Sequence, residues 1–230
     1  MLLKSKKLIL VAILASLVGS MGAQTTSPYS RYGYGILRDQ SVGLSKGLGG
    51  IGYGLRNSQS ANPLNPASYS RIDSLSFLFD IGVSFTKSKL SDGTNSQSDD
   101  NGGLDYITMA MPLSKKLGLS FGILPYSSVG YSYGTTESAS TSSIGYIKSY
   151  SGSGGFSQLY AGLGYDTPLK GLSVGANVSY IFGTLEHAKG LPYVGGSSSY
   201  TSAEYNELHL SSFKLDLGFQ YETQLSKRNL

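Results

Sequence analysis

Residues 75–89 read LSFLFDIGVSFTKSK. Phe77, Phe79, Ile81, Val83 and Phe85 occupy every second position, and Ser76, Asp80, Gly82, Ser84 and Thr86 fill the alternate ones; only Leu78 breaks the rule. Successive side chains of a strand point to opposite faces, so this stretch is a strand that is apolar on one side and polar or tiny on the other. Recurring strands of this kind after an export signal point to an apolar face turned toward lipid rather than toward a protein core.

Five more stretches carry the pattern. Leu104 to Leu113 alternates less cleanly. After the turn Ser114-Lys115-Lys116, Leu117, Leu119, Phe121 and Ile123 share one face, and the strand continues through Tyr133. Ile144 to Tyr165 forms the fourth, interrupted by Ser151-Gly152-Ser153-Gly154-Gly155. Leu172 to Phe182 is the fifth, and Phe213 to Tyr221 the sixth. The connections alternate in length: short at 113–117 and 167–171, longer and polar near 90–103, 134–142 and 187–204. Short turns at one end and long loops at the other are the pattern of outer-membrane barrels, and Tyr165, Tyr180, Phe182 and Tyr221 lie near strand ends as an aromatic girdle does. A secreted sandwich is the competing architecture.

The chain opens with a basic start (Lys4, Lys6, Lys7), an apolar run from Leu8 to Val18 and small residues to Ala23. This is the layout of a secretory signal peptide cut after Ala23. The run is short against the roughly 20 residues of a spanning helix. The sequence has no cysteine, which excludes disulfides, thiol-ligated metal and a lipidated cysteine near the cut. Charged residues make up 14% of the chain, low against the usual figure of about 25%. The formal net charge of +4 falls to about +1 without the three leader lysines, so the basic balance is no argument for nucleic acid.

The fold class expected is thus all-β: a transmembrane antiparallel β-barrel, incomplete at about six strands. The domains are a signal peptide at 1–23, an N-terminal hatch at 24–74 and the barrel strands at 75–230. Single-chain membrane barrels start at about eight strands, and an open sheet edge in hydrocarbon leaves backbone groups unpaired. The chain is accordingly expected to be the front of a longer barrel, or one of several copies that close a barrel together.

Residues 24–74 are rich in Gly, Asn, Ser and Pro without sustained alternation. SPYSRYGYG (27–35), GLGGIGYGLRNS (47–58), NPLNPASYS (62–70), LSFLFDIG (75–82) and the hairpin PLSKKLGLSFGILPYSSVGYSY (112–133) follow in order. This set resembles Bacteroidetes members of the FadL-type outer-membrane transport superfamily. The resemblance implies an N-terminal hatch inside a barrel of fourteen strands and passive uptake of hydrophobic small molecules such as long-chain fatty acids. The alternative it leaves open is a FadL-like barrel in a protein secretion system, binding exported cargo with its loops. Partners expected on this reading are outer-membrane lipid and lipopolysaccharide, a hydrophobic ligand, and the missing strands or other copies of the chain. The expected location is the outer membrane of a Gram-negative bacterium.

The hatch candidates for ligand contact are Arg31, Tyr32, Arg56, Asn57 and Asn65. A proline removes a ladder hydrogen bond. Pro125, with Gly152, Gly154 and Gly155 on the next strand, is therefore the candidate for a lateral portal through the wall. No catalytic set, cofactor site or metal site is expected, and the protein is read as a non-enzyme. Gly47-x-Gly49-x-x-Gly52 matches a dinucleotide fingerprint in letters only, because the strand–helix context it needs is missing. His187 and His209 are placed on or beside an external loop. Asp92, Asp99, Asp100 and Asp105 are read as solvated loop residues.

Overall fold

The computed structural model describes residues 27–91, 93, 96–137, 145–194 and 201–223. The leader at 1–23 lies outside the described residues. The chain forms one seven-stranded antiparallel sheet. Its strands are β1 (Ile36–Leu37), β2 (Leu78–Ser91), β3 (Ser96–Pro112), β4 (Leu117–Glu137), β5 (Gly145–Asp166), β6 (Leu172–Val194) and β7 (Thr201–Tyr221). The six long strands follow one another as a meander, β2 to β7, and β1 pairs with β4. Helical structure among the described residues is confined to single turns at Pro28–Arg31, Gly43–Gly47 and Pro66–Arg71. Among these residues β2 and β7 are not paired with each other, so the sheet is open rather than closed.

The alternation in the sequence is realised as two unlike faces. Val174, Ala176, Val178 and Tyr180 on β6 stand directly opposite Phe219, Leu217, Leu215 and Phe213 on β7, and opposite Tyr165, Leu163, Ala161 and Leu159 on β5. This outer face is uncovered: Leu217 is 78% exposed and Phe85 on β2 is 85% exposed. The inner face carries the small and polar residues, and residues 27–77 fold across it. Leu78 is the exception in the opening strand because it faces inward. It packs on a buried cluster of Val42, Ala61, Tyr69, Ile72, Tyr106, Ala110, Leu124 and Tyr160. A second buried cluster, Val129, Tyr131, Phe156, Ile181 and Leu185, lies farther along the same face. Tyr34 meets Phe156 there edge to face, with ring centres 6.1 Å apart.

Three expectations need correction. In the polar stretches near 90–103 and 187–204, residues 90–91, 96–103, 187–194 and 201–204 are strand rather than loop. Pairing of β2 with β3 runs on to Ser91↔Ser96, and that of β6 with β7 to Pro192↔Thr201. Ladder hydrogen bonds need only extended backbone. Where both faces of a hairpin are wet, no face demands apolar residues, and the alternation that marks a strand in sequence vanishes. Residues 134–137 likewise belong to β4, while 138–144 lie outside the described residues. The glycine stretch at 151–155 does not interrupt its strand, because β5 pairs with β4 and β6 throughout it.

Candidate functional site

The N-terminal segment seated on the inner face is the feature that distinguishes this sheet from a plain meander. Its seat is a row of glycines. Gly118, Gly164, Gly175 and Gly218 stand opposite one another across β4, β5, β6 and β7. A Cβ at any of them would overlap the turn above: the Tyr69 carbonyl at Gly118, Pro66 at Gly164 and Gly175, and the Asn65 side chain at Gly218. Four strands thus present bare backbone so that another backbone can lie directly on them.

Asn65 opens that turn and caps it. Its Oδ1 accepts from the Ala67 N–H at 3.2 Å, and its amide donates to the carbonyls of Tyr53 (2.7 Å) and Phe219 (3.1 Å). An Asn at this position satisfies an otherwise orphaned donor of the turn. Beyond it, the Tyr69 hydroxyl donates to Asn177 Oδ1 at 3.1 Å, and the Asn177 amide donates to the Pro63 carbonyl at 2.9 Å. Burial pushes the Tyr69 hydroxyl well above its usual pKa, so it stays a neutral donor. Gln220 on β7 donates to the carbonyls of Tyr53 and Leu55 at 3.2 and 3.1 Å. Buried strand residues therefore satisfy the carbonyls of Tyr53, Leu55 and Pro63, which lie outside any helix or strand.

Charged groups hold the two ends. At the short-turn end, Arg56 lies between Asp166 (3.8 Å), Glu222 (3.5 Å) and the Ser173 hydroxyl, and Arg71 reaches the same Glu222 at 2.9 Å. Burial, then the neighbouring Arg71, lowers the Arg56 pKa from its ordinary value. At the other end Arg31 donates to the Tyr133 hydroxyl at 2.8 Å and lies over the Tyr150 ring at 4.1 Å. Between them Asp105 on β3, with a side chain only 6% exposed, is met by Lys46 and, at 3.6 Å, by Arg38. Asp105 is therefore not a solvated loop residue. It sits at a bulge where β3 faces the N-terminal segment, and its charge is compensated from that segment.

The remaining candidates are placed as follows. Tyr32 is 71% exposed, and Asn57 accepts from the Gln59 N–H at 2.8 Å in a local turn. Arg31, Arg56 and Asn65 do not converge on one pocket; they are spread along the segment as anchors. Pro125 sits at a bulge, where the register with β5 skips Tyr126. Gly152, Gly154 and Gly155 of β5 are paired with Tyr131, Val129 and Ser128 of β4. His187 and His209 stand inside β6 and β7, not on loops. Nδ1 of His187 is 2.7 Å from the Tyr131 hydroxyl, and Nδ1 of His209 is 2.9 Å from that of Thr184. The anchoring of 27–77 by partners on several strands is invisible to motif reading. Its one sequence signal is the set of glycines on the inward face.

No curated protein and no solved structure matches the chain. A family model does: that of BamG, over residues 4–230. This overturns the resemblance to FadL-type transporters, and with it the uptake channel for fatty acids, the secretion-cargo alternative, and the porin and lipid-transport readings. The motifs quoted above describe a glycine-rich segment lying against an antiparallel sheet, a physical arrangement that does not by itself specify transport. The chain belongs to the BamG family.

Proposed function

We propose that this protein acts in outer-membrane protein assembly as a component of the BAM complex. The observation that carries this reading is the match to the BamG family over residues 4–230. Components of that complex are tied to the outer membrane of Gram-negative bacteria. The partner is the rest of the complex, not a hydrophobic small molecule.

The geometry supports attachment through the sheet itself. The outer apolar band on β6 runs from Leu172 to Phe182. Ten residue steps of strand are about 33 Å long. At a tilt of about 40° they rise about 25 Å, the height of the apolar band of a membrane barrel. Tyr165 and Tyr221 stand near one margin of the band, Tyr180 and Phe182 near the other. The exposed apolar face, with Leu217, Phe219 and Phe213 each more than two thirds exposed, supplies the membrane contact on this reading. In that setting the sheet is part of a barrel wall, residues 27–77 plug its inner side, and the edges of β2 and β7 are closed by further strands. Those strands come from a neighbour in the complex, another copy or further chain.

The test is depletion of the protein in its source cell, followed by the amount of folded, heat-modifiable barrel protein in the outer membrane. Folded barrels fall and unfolded precursors accumulate on this reading. Unchanged barrel assembly without the protein overturns it.

A further inference from the structure

The sheet forks. β3 and β4 are paired only from Ile107↔Ile123 to Pro112↔Gly118. Past Ile123, β4 continues on β5 as far as Glu137, while past Ile107, β3 continues on β2 as far as Ser96. Two strand edges therefore face each other across an opening inside the sheet. Such edges are rows of unpaired N–H and C=O groups, a template for another strand.

The chain partly fills this fork with its own N-terminal segment. β1 pairs antiparallel with β4, Ile36 opposite Ser128 and Leu37 opposite Ser127. The Arg38 N–H donates to the Tyr126 carbonyl at 2.9 Å, and the Ser27 N–H to the Gly130 carbonyl at 2.8 Å. The Gln40 amide donates to the Pro125 carbonyl at 2.6 Å. Gly35, at φ +83°, passes so close to β4 that a Cβ would come within 2.5 Å of the Ser128 carbonyl oxygen. On the far side of the fork, Arg38 and Lys46 reach Asp105 of β3. The filling is shallow. The regular pairing is two residues long, and among the described residues no strand pairs with the fork-facing edge of β4 beyond Gly130.

The side chains along that free edge say what it accepts. Gly130, Ser132 and Gly134 leave the outer face of β4 bare, while Tyr131 and Tyr133 wall the inner face. A strand entering here has room for large side chains outward and only for small or polar ones inward. That is the alternation of a membrane β-strand.

We infer that the β4 edge from Ser127 to Glu137 is a strand-acceptor site for an extended segment of a barrel protein under assembly, and that residues 27–38 are its displaceable resident strand. This rests on the assembly function proposed above and names the substrate contact of that function. Recognition by strand addition takes its affinity from main-chain hydrogen bonds and its specificity from alternate side chains.

The test uses the absence of native cysteine. Cα atoms directly opposite in an antiparallel pair lie at about 4.5–5.5 Å, within disulfide range. Ile36→Cys with Ser128→Cys therefore locks the resident strand, and Ser151→Cys with Ala188→Cys is a matched lock between β5 and β6. A reporter barrel protein carrying single cysteines along one strand is then followed in cells holding the full complex. With oxidant, the Ile36–Ser128 lock reduces reporter assembly to the level of depleted cells, reductant restores it, and the Ser151–Ala188 lock has no effect. In a separate variant, Ser132→Cys forms a disulfide with the reporter strand at every second position. The inference is overturned if depletion slows assembly but neither the lock nor the Ser132 crosslink registers. It also falls if crosslinks show no two-residue period. If depletion itself leaves reporter assembly unchanged, the assembly function fails and this site with it.

Discussion

Gly164→Ala adds one methyl group to the glycine seat, and the structure lets its cost be worked out. The new Cβ would overlap the Pro66 carbonyl and lie 2.9 Å from both the Ser70 nitrogen and the Tyr69 Cβ. Ordinary contact for such atoms begins near 3.4 Å, and the obstacles are backbone, which cannot rotate aside. The turn Pro66–Arg71 must therefore lift by roughly 1 Å, or the strand must sink, and overpacking of this kind costs about 1–3 kcal/mol. Lifting also stretches the Tyr69–Asn177 bond from 3.1 Å out of hydrogen-bond range. Asn177 is buried, so stranding its carbonyl adds about 1–3 kcal/mol. The sum is about 4 kcal/mol, roughly a 1,000-fold rise in the undocked fraction of the N-terminal segment. The assay is thiol labelling of Ser68→Cys, a position 2% exposed when the turn is seated. Gly103→Ala is the control, because nothing lies within 4 Å of the Cβ it would add. Equal labelling rates in the two alanine variants would refute the reasoning, since the seat would then not depend on bare backbone.

Leu217→Arg places a charge on the uncovered outer face. If that face meets lipid, insertion is destabilised by about 2–4 kcal/mol, read as loss of the protein from urea-washed outer membranes. Asp216→Asn, on the inner face beside Lys214, is far milder, and equal losses would argue against a lipid-facing sheet. Asp105→Asn leaves Lys46 and Arg38 without their common partner. Both cations are partly exposed, which brings the cost below the 3–5 kcal/mol of a fully buried pair, to about 1–2 kcal/mol. The effect is confined to the fork and appears as faster labelling of Ile36→Cys with Ser68→Cys unaffected. Arg56→Met removes the cation shared by Asp166 and Glu222 and loosens the short-turn end. Protease cleavage after Leu55 is then faster while the sheet stays intact.

The strands were legible in the sequence wherever one face met apolar surroundings. Phe79 to Phe85, Leu172 to Phe182 and Phe213 to Tyr221 all lie in strands at the stated phase, while Leu75 to Phe77 precede the first of them. They ceased to be legible at Asp99–Asn101 and His187–Lys189, where the backbone is paired as strand but the sequence does not alternate apolar with polar. Of the candidate site, Arg31, Arg56 and Asn65 were visible as unusual residues in a glycine-rich segment. Their separate roles as end anchors and cap were not, because their partners Tyr133, Glu222 and Phe219 are remote in sequence. The family resemblance misled for a related reason. A glycine-rich segment against an alternating sheet is a solution to packing, and the same motif set says nothing of what passes through or binds.

Local pattern by itself determined the strands that carry one apolar face and the two unlike faces they build, since alternation acts between residues two apart and needs no distant partner. Only the tertiary structure decided that β3 and β4 part company at Ile107 and Ile123, that Asp105 turns into the opening, and that Gly118, Gly164, Gly175 and Gly218 fall in one row. Register is a property of strand pairs. It is set by the hydrogen-bond ladder and by what lies across it, and no single strand carries that information.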